Sequence, residues 1–223
     1  MTCDTTFYKK IEKCLSKDEN VWGSYLLSKG TLYRKMTDLQ KRQVIRDSLN
    51  CARQQWDKWQ ICRENLDVEE FLIAEAVQIE ENDDPLPGFY LNFAEYRKNP
   101  PRIRLSNRAI QQTEKVIQDE RLGLLLEEVD LRRLILAHEL FHHLEAVEPD
   151  IYTNHAQIDI KRFGKFRNGV RVRTAGEIAA VHFSKLVSGV SYCPAVMEFL
   201  LIRSTDQQRA KRLADQLITE KWG

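Results

Sequence analysis

The chain of 223 residues has no Cys-x-x-Cys pair, no internal repeat, no low-complexity tract and no real excess of either charge. Its five cysteines, Cys3, Cys14, Cys51, Cys62 and Cys193, are odd in number and scattered. That argues against a disulfide framework or a cysteine zinc site and predicts free thiols in a reducing compartment. No apolar run approaches the roughly 20 residues of a membrane span, and Met1-Thr2-Cys3-Asp4 opens without the basic and apolar regions of a signal peptide. The expectation is a soluble cytoplasmic protein with no membrane partner. Basic and acidic residues number 34 and 33, so overall charge selects no nucleic-acid or membrane partner. What the chain does have is 43% hydrophobic residues, enough for a sizeable core.

Histidine is scarce as well, with five in the chain, yet two of them bracket the motif His138-Glu139-Leu140-Phe141-His142. On an α-helix, residues four apart lie nearly above one another, so both imidazoles reach one point while Glu139 sits on the adjoining flank. That geometry suits a zinc ion. Apolar residues lead into the box (Leu131, Leu134, Ile135, Leu136, Ala137) and continue it (Leu140, Phe141, Leu144), which predicts a buried helix. Unpaired imidazoles and a carboxylate in a buried helix would each cost a few kcal/mol, and a bound cation satisfies them together. His143 points about 100° away from His142 and reads as a structural or supporting histidine.

Along the rest of the chain, Phe7, Ile11 and Leu15 stand at helical spacing, and Thr37-Asp38-Leu39-Gln40 has the form of a capping box. A stripe of Val44, Ile45, Leu49, Ala52, Trp56, Trp59 and Ile61 follows it and reads as core packing. The texture changes near residue 66. A short helix over 68–76, a strand at Val77-Gln78-Ile79, a β-rich stretch from Phe89 to Tyr96 and the alternating Arg102-Ile103-Arg104-Leu105 predict an antiparallel meander. Ser106-Asn107 starts another helix, Asn168-Gly169 signals a hairpin, and helices follow from about Ala175 and near Pro194.

Two histidines leave a zinc site incomplete, because a catalytic site has three protein ligands and one open position. Glu145 and Glu148 occupy the positions where an extended metzincin motif needs Gly and His, so that version is excluded. The favoured third ligand is Glu177, early in a helix in which small Ala179 and Ala180 allow close approach. Two other readings stay open: Thr174-x-x-Glu177 is also a capping box, and His155, Asp159 and His182 are alternative ligands. With one zinc ion held by His138, His142 and Glu177, the pKa of a zinc-bound water falls towards about 7, and Glu139 acts as general base in peptide-bond hydrolysis. Candidate transition-state stabilisers are Tyr152, His155 and His182. Tyr90 and Asn92, on the Phe89–Tyr96 strand, are candidates for holding an extended protein substrate. The stretch from Lys161 to Arg173 contains six basic residues and no acidic one. It reads as a solvated loop, or as a guide for an acidic substrate or a nucleic-acid backbone.

The order meander, helix, Leu-Ala-His-Glu-Leu-Phe-His helix and downstream Glu helix resembles the gluzincin metallopeptidases, most of all the ImmA/IrrE-like family. In that family a Glu is followed by Ala three residues on and Phe six residues on, as Glu177, Ala180 and Phe183 are here. Residues 67 to 195 carry the resemblance. The departures are Ala179 where the family has a second carboxylate, a late Pro194, and no clear helix-turn-helix in the first 65 residues. The resemblance implies a mainly helical α+β fold, with a small antiparallel β-meander beside the active-site helix. A helical N-terminal segment (1–66) would then precede a zincin-like metallopeptidase domain (67–223). The implied activity is zinc-dependent proteolysis; the rival function is a metal-binding regulatory or DNA-associated protein with little or no proteolytic activity.

Overall fold

A computed structural model describes residues 4–63, 65–83, 93–161 and 167–220. The chain is mainly helical, with a three-stranded sheet and a two-stranded sheet. The candidate substrate residues Tyr90 and Asn92 lie outside the described residues.

Helices α1 (Thr5–Leu15), α2 (Glu19–Ser28) and α3 (Asp38–Cys62) open the fold, joined by a single 3-10 turn at Tyr33–Lys35. Asp4 and Asp18 cap the first two through their side chains, and the predicted Thr37–Gln40 capping box starts the third. A second box, Asp67 with Glu70, starts α4 (Val68–Ala74). Each such cap satisfies backbone N–H groups that have no partner in their own helix and is worth about 0.5–2 kcal/mol.

Three short strands follow: β1 (Gln78–Asn82), β2 (Ala94–Arg97) and β3 (Arg102–Ser106). The expected antiparallel meander is corrected here to a mixed sheet in the order β1-β3-β2. Strand β2 runs antiparallel to β3, but β1 runs parallel to it, with Ile79 opposite Ile103. The reason is burial. Ile103 and Leu105 are fully buried, so β3 takes the centre and the half-buried β1 and β2 flank it. β2 is consequently an edge strand, and it lies against helix α6 (Leu131–Val147). Before α6 comes α5 (Asn107–Asp119), capped by Ser106 as its sequence predicts.

After α6, the short α7 (Tyr152–His155) leads into β4 (Gln157–Lys161) and β5 (Arg167–Arg171), which pair antiparallel. Asn168-Gly169 does not form the turn expected of it: Asn168 pairs with Ile160 and Gly169 with Asp159, both inside β5. Glycine has a local use there, since a Cβ on Gly169 would come within 2.6 Å of the Gln157 side-chain oxygen. The chain ends with α8 (Thr174–Ser188), α9 (Val196–Thr205) and α10 (Gln207–Thr219). No described helix is long and apolar enough to cross a membrane, and the four described cysteines are free.

One core runs through all of this, from Phe7 and Ile11 on α1 to Leu217 on α10. Trp59, the predicted core residue of α3, meets Phe71 and Phe183 edge-on, and Phe183 in turn lies 5.7 Å from Phe141 of α6, ring centre to ring centre. Phe183 therefore ties α3, α6 and α8 at one point. Phe183→Ala is expected to lower stability by about 3–5 kcal/mol, read as a lower midpoint in urea unfolding with little change in slope.

Candidate metal centre

Helix α6 carries the His-Glu-x-x-His box. Asp130 caps it by accepting from the Arg133 N–H, and Leu134, Ile135, Leu136, Ala137, Leu140 and Phe141 bury it on several sides. Helix α8 crosses it closely. Ala175, Ala179 and Ala180 are fully buried, and Gly176 sets the α8 backbone directly against the Glu145 side chain of α6. The crossing delivers Glu177, in the first turn of α8, to the two histidines of α6.

The capping alternative for Glu177 does not hold, because α8 begins after Arg173 without a side-chain cap. Its carboxylate turns instead to the histidines, with Oε2 3.6 Å from His138 Nε2 and Oε1 3.7 Å from His142 Nε2. The two Nε2 atoms are 3.2 Å apart. Ligand atoms about 2.0–2.1 Å from a tetrahedral ion stand roughly 3.3 Å from one another, so the imidazole spacing already fits one. The His138, His142 and Glu177 ligand atoms all lie within 4.8 Å of one another.

Glu139 is buried at 6% exposure beside this cluster. Burial raises its pKa, against the neighbouring His138 and His142 and the Tyr96 backbone N–H, which favour the charged form. For His142, desolvation disfavours the cation, but the Glu145 hydrogen bond and the charges of Glu177 and Glu139 outweigh it and push the pKa up to about 9. Desolvation also acts against a charged Glu177, and the hydrogen bond and charge of the two histidines overcome it, bringing its pKa down to about 2. Three carboxylates around two imidazoles make a site that favours positive charge, whether proton or metal cation.

Two cavities meet at the cluster, and both are lined by Ala94, His138, Glu139 and Glu177. One, of about 460 Å³, runs between α2, α6, α8 and α9 and is walled mainly by apolar side chains such as Leu26, Ile135, Val181 and Met197. The other, of about 810 Å³, is polar and includes Glu95, Lys98, Asn154 and Arg171. The cleft thus has one mainly apolar and one polar arm, with the cluster at their junction.

The remaining candidates fall elsewhere. Tyr152 is half-buried near Asp47 and Cys51 of α3. Exposed His155 bonds through Nε2 to the Pro149 carbonyl at 2.8 Å. Buried His182 faces Glu19, Nδ1 to Oε1 3.4 Å. None of the three lines either arm of the cleft, and neither they nor Asp159 join the metal-ligand group. His143, read as structural, is buried with its Nδ1 3.1 Å from the Tyr96 hydroxyl. Residues that sequence reasoning missed are Glu145, one turn past His142, and Asn154 and Arg171 on the polar wall. For Glu145 the signal was available, because three residues along a helix returns to the same face.

Compared with family models, curated proteins and solved structures, the chain has no match.

Burial drives the His182 pKa down to about 4, against the pull of Glu19. A group with a depressed folded pKa contributes stability that is complete above its unfolded value of about 6.5 and is lost as pH falls towards the folded one. Urea unfolding between pH 7 and pH 4 should therefore show a steeper loss of stability for the wild type than for His182→Gln. Parallel pH profiles would refute this.

Proposed function

We propose that this protein is a zinc-dependent peptidase of gluzincin type, with a zincin-like site held on α6 and α8. The observation that carries the reading is the convergence of His138, His142 and Glu177 on one point, with the Glu139 carboxylate buried beside it. Two imidazole nitrogens and a carboxylate oxygen match the donor set of hydrolytic zinc sites, and three protein ligands leave a tetrahedral position for water. His138 and His142 would hold the ion through Nε2 and Glu177 through its carboxylate. Zinc so held supplies a Lewis acid that brings the pKa of water towards about 7 and polarises a carbonyl oxygen.

The chain's own residues do the rest. Glu139 takes the proton of the attacking water on its carboxylate and returns it to the nitrogen of the departing amine as the peptide bond breaks. The Tyr96 backbone N–H faces that carboxylate and helps hold it in place. Strand β2, at the edge of its sheet among the described residues, offers backbone donors and acceptors along which an extended protein or peptide substrate can pair. The apolar arm of the cleft accepts an apolar side chain of that substrate and the polar arm its polar neighbours.

The test is Glu139→Gln beside the wild type, each assayed for bound zinc and for cleavage of denatured protein substrates. Both proteins should bind one zinc ion, and cleavage should fall by about 10²–10⁴-fold in the variant. Removing zinc with a chelator should abolish wild-type cleavage, and adding it back should restore it. Zinc bound by both proteins with cleavage by neither would replace the peptidase with the regulatory metal-binding protein.

A further inference from the structure

Glu145 contacts no shared ligand point, yet it is built into the site from three sides. Its Oε2 lies 3.2 Å from His142 Nδ1, while the Nε2 of the same ring lies 3.2 Å from His138 Nε2. The two ring nitrogens face opposite ways, so the carboxylate holds the back of the imidazole whose front faces the cluster. The backbone at Glu145 is held separately, because the Asn154 side-chain amide donates to its carbonyl at 2.7 Å and to that of Glu148 at 3.2 Å. Arg171 in turn donates to the Asn154 side-chain oxygen at 2.9 Å.

The third side is Gly176 of α8. A Cβ there would stand 2.8 Å from Glu145 Oε1 and 3.2 Å from Oε2. The carboxylate is therefore seated against bare helix backbone, one residue before Glu177. Any larger residue at 176 must push the carboxylate aside. Gly is a poor choice inside a helix on propensity alone, and the seat for Glu145 accounts for it.

We infer that Glu145 is the positioning residue of the metal centre: it accepts the Nδ1–H of His142, fixes the ring's tautomer and angle, and leaves the Nε2 lone pair aimed at the ion, with Gly176 making room for it. The inference rests on the zinc reading of the site and extends it to a residue outside the ligand set. A carboxylate behind a ligating histidine sets both ring orientation and ligand basicity, and its loss costs about 10–100-fold in metal affinity.

The experiment measures zinc affinity by chelator competition in the wild type, Glu145→Ala, Glu145→Gln and Gly176→Ala, together with the proton spectrum of zinc-loaded, ¹⁵N-histidine-labelled protein. Zinc should bind about 10–100-fold more weakly to Glu145→Ala, and Gly176→Ala should fall in the same direction although it keeps every polar group. Glu145→Gln, which retains an acceptor oxygen, should recover part of the loss. The slowly exchanging His142 Nδ1–H signal should be present in the wild type and lost in Glu145→Ala, a change that general destabilisation would not produce. Equal zinc affinity and an unchanged Nδ1–H signal in all four proteins would overturn the positioning role while leaving the metal centre standing. A wild type that binds no zinc would remove the metal centre itself, and the positioning role with it.

Discussion

The close crossing of α6 and α8 is the constraint on which the rest depends. Each helix alone carries an incomplete site: two imidazoles on one, a single carboxylate on the other. Gly176 of α8 lies bare against the Glu145 side chain of α6, and Phe141 packs against Phe183, so the two helices meet through a small and an aromatic contact. Close-packed interiors transmit such choices to neighbouring side chains. The position of Glu177 against the histidines therefore depends on packing residues outside the cluster itself.

That crossing also concentrates charge. Glu139, Glu145 and exposed Glu177 sit around His138 and His142, and carboxylates brought this close repel unless something positive stands between them. The imidazoles do this when protonated, and a divalent cation does it with better geometry. The same arrangement explains why Glu177 is held ionised while Glu139, buried and outside the ligand set, is pushed the other way. Two like groups a short distance apart acquire different tasks from their surroundings alone.

Much of this was legible in the sequence. The box, its buried helix, the caps at Thr37 and Ser106 and the preference for Glu177 all follow from local rules: helical phase, capping chemistry and the size of the residues at 179 and 180. The misplaced features depend on partners far along the chain. Whether β1 pairs with antiparallel β2, as in a meander, or with parallel β3 depends on which strand is central, and β3 takes that place because Ile103 and Leu105 are buried; the alternation of β1 itself does not reveal it. Asn168-Gly169 has strong turn chemistry, overridden by pairing with Ile160 and Asp159. His182 could have been set aside earlier, because five residues past Glu177 is about 140° around the helix and faces α2 instead. Glu145 was visible for the mirror-image reason, sharing a helix face with His142.

The tie between β2 and α6 has a mechanical consequence. Tyr96 meets helix α6 twice, by its hydroxyl at His143 and by its backbone N–H toward Glu139. Under the proposed function, an extended substrate paired along β2 would bear on the same strand that faces the Glu139 carboxylate. The register of that pairing would then reach Glu139 through the strand, beside whatever the two arms of the cleft select by side chain.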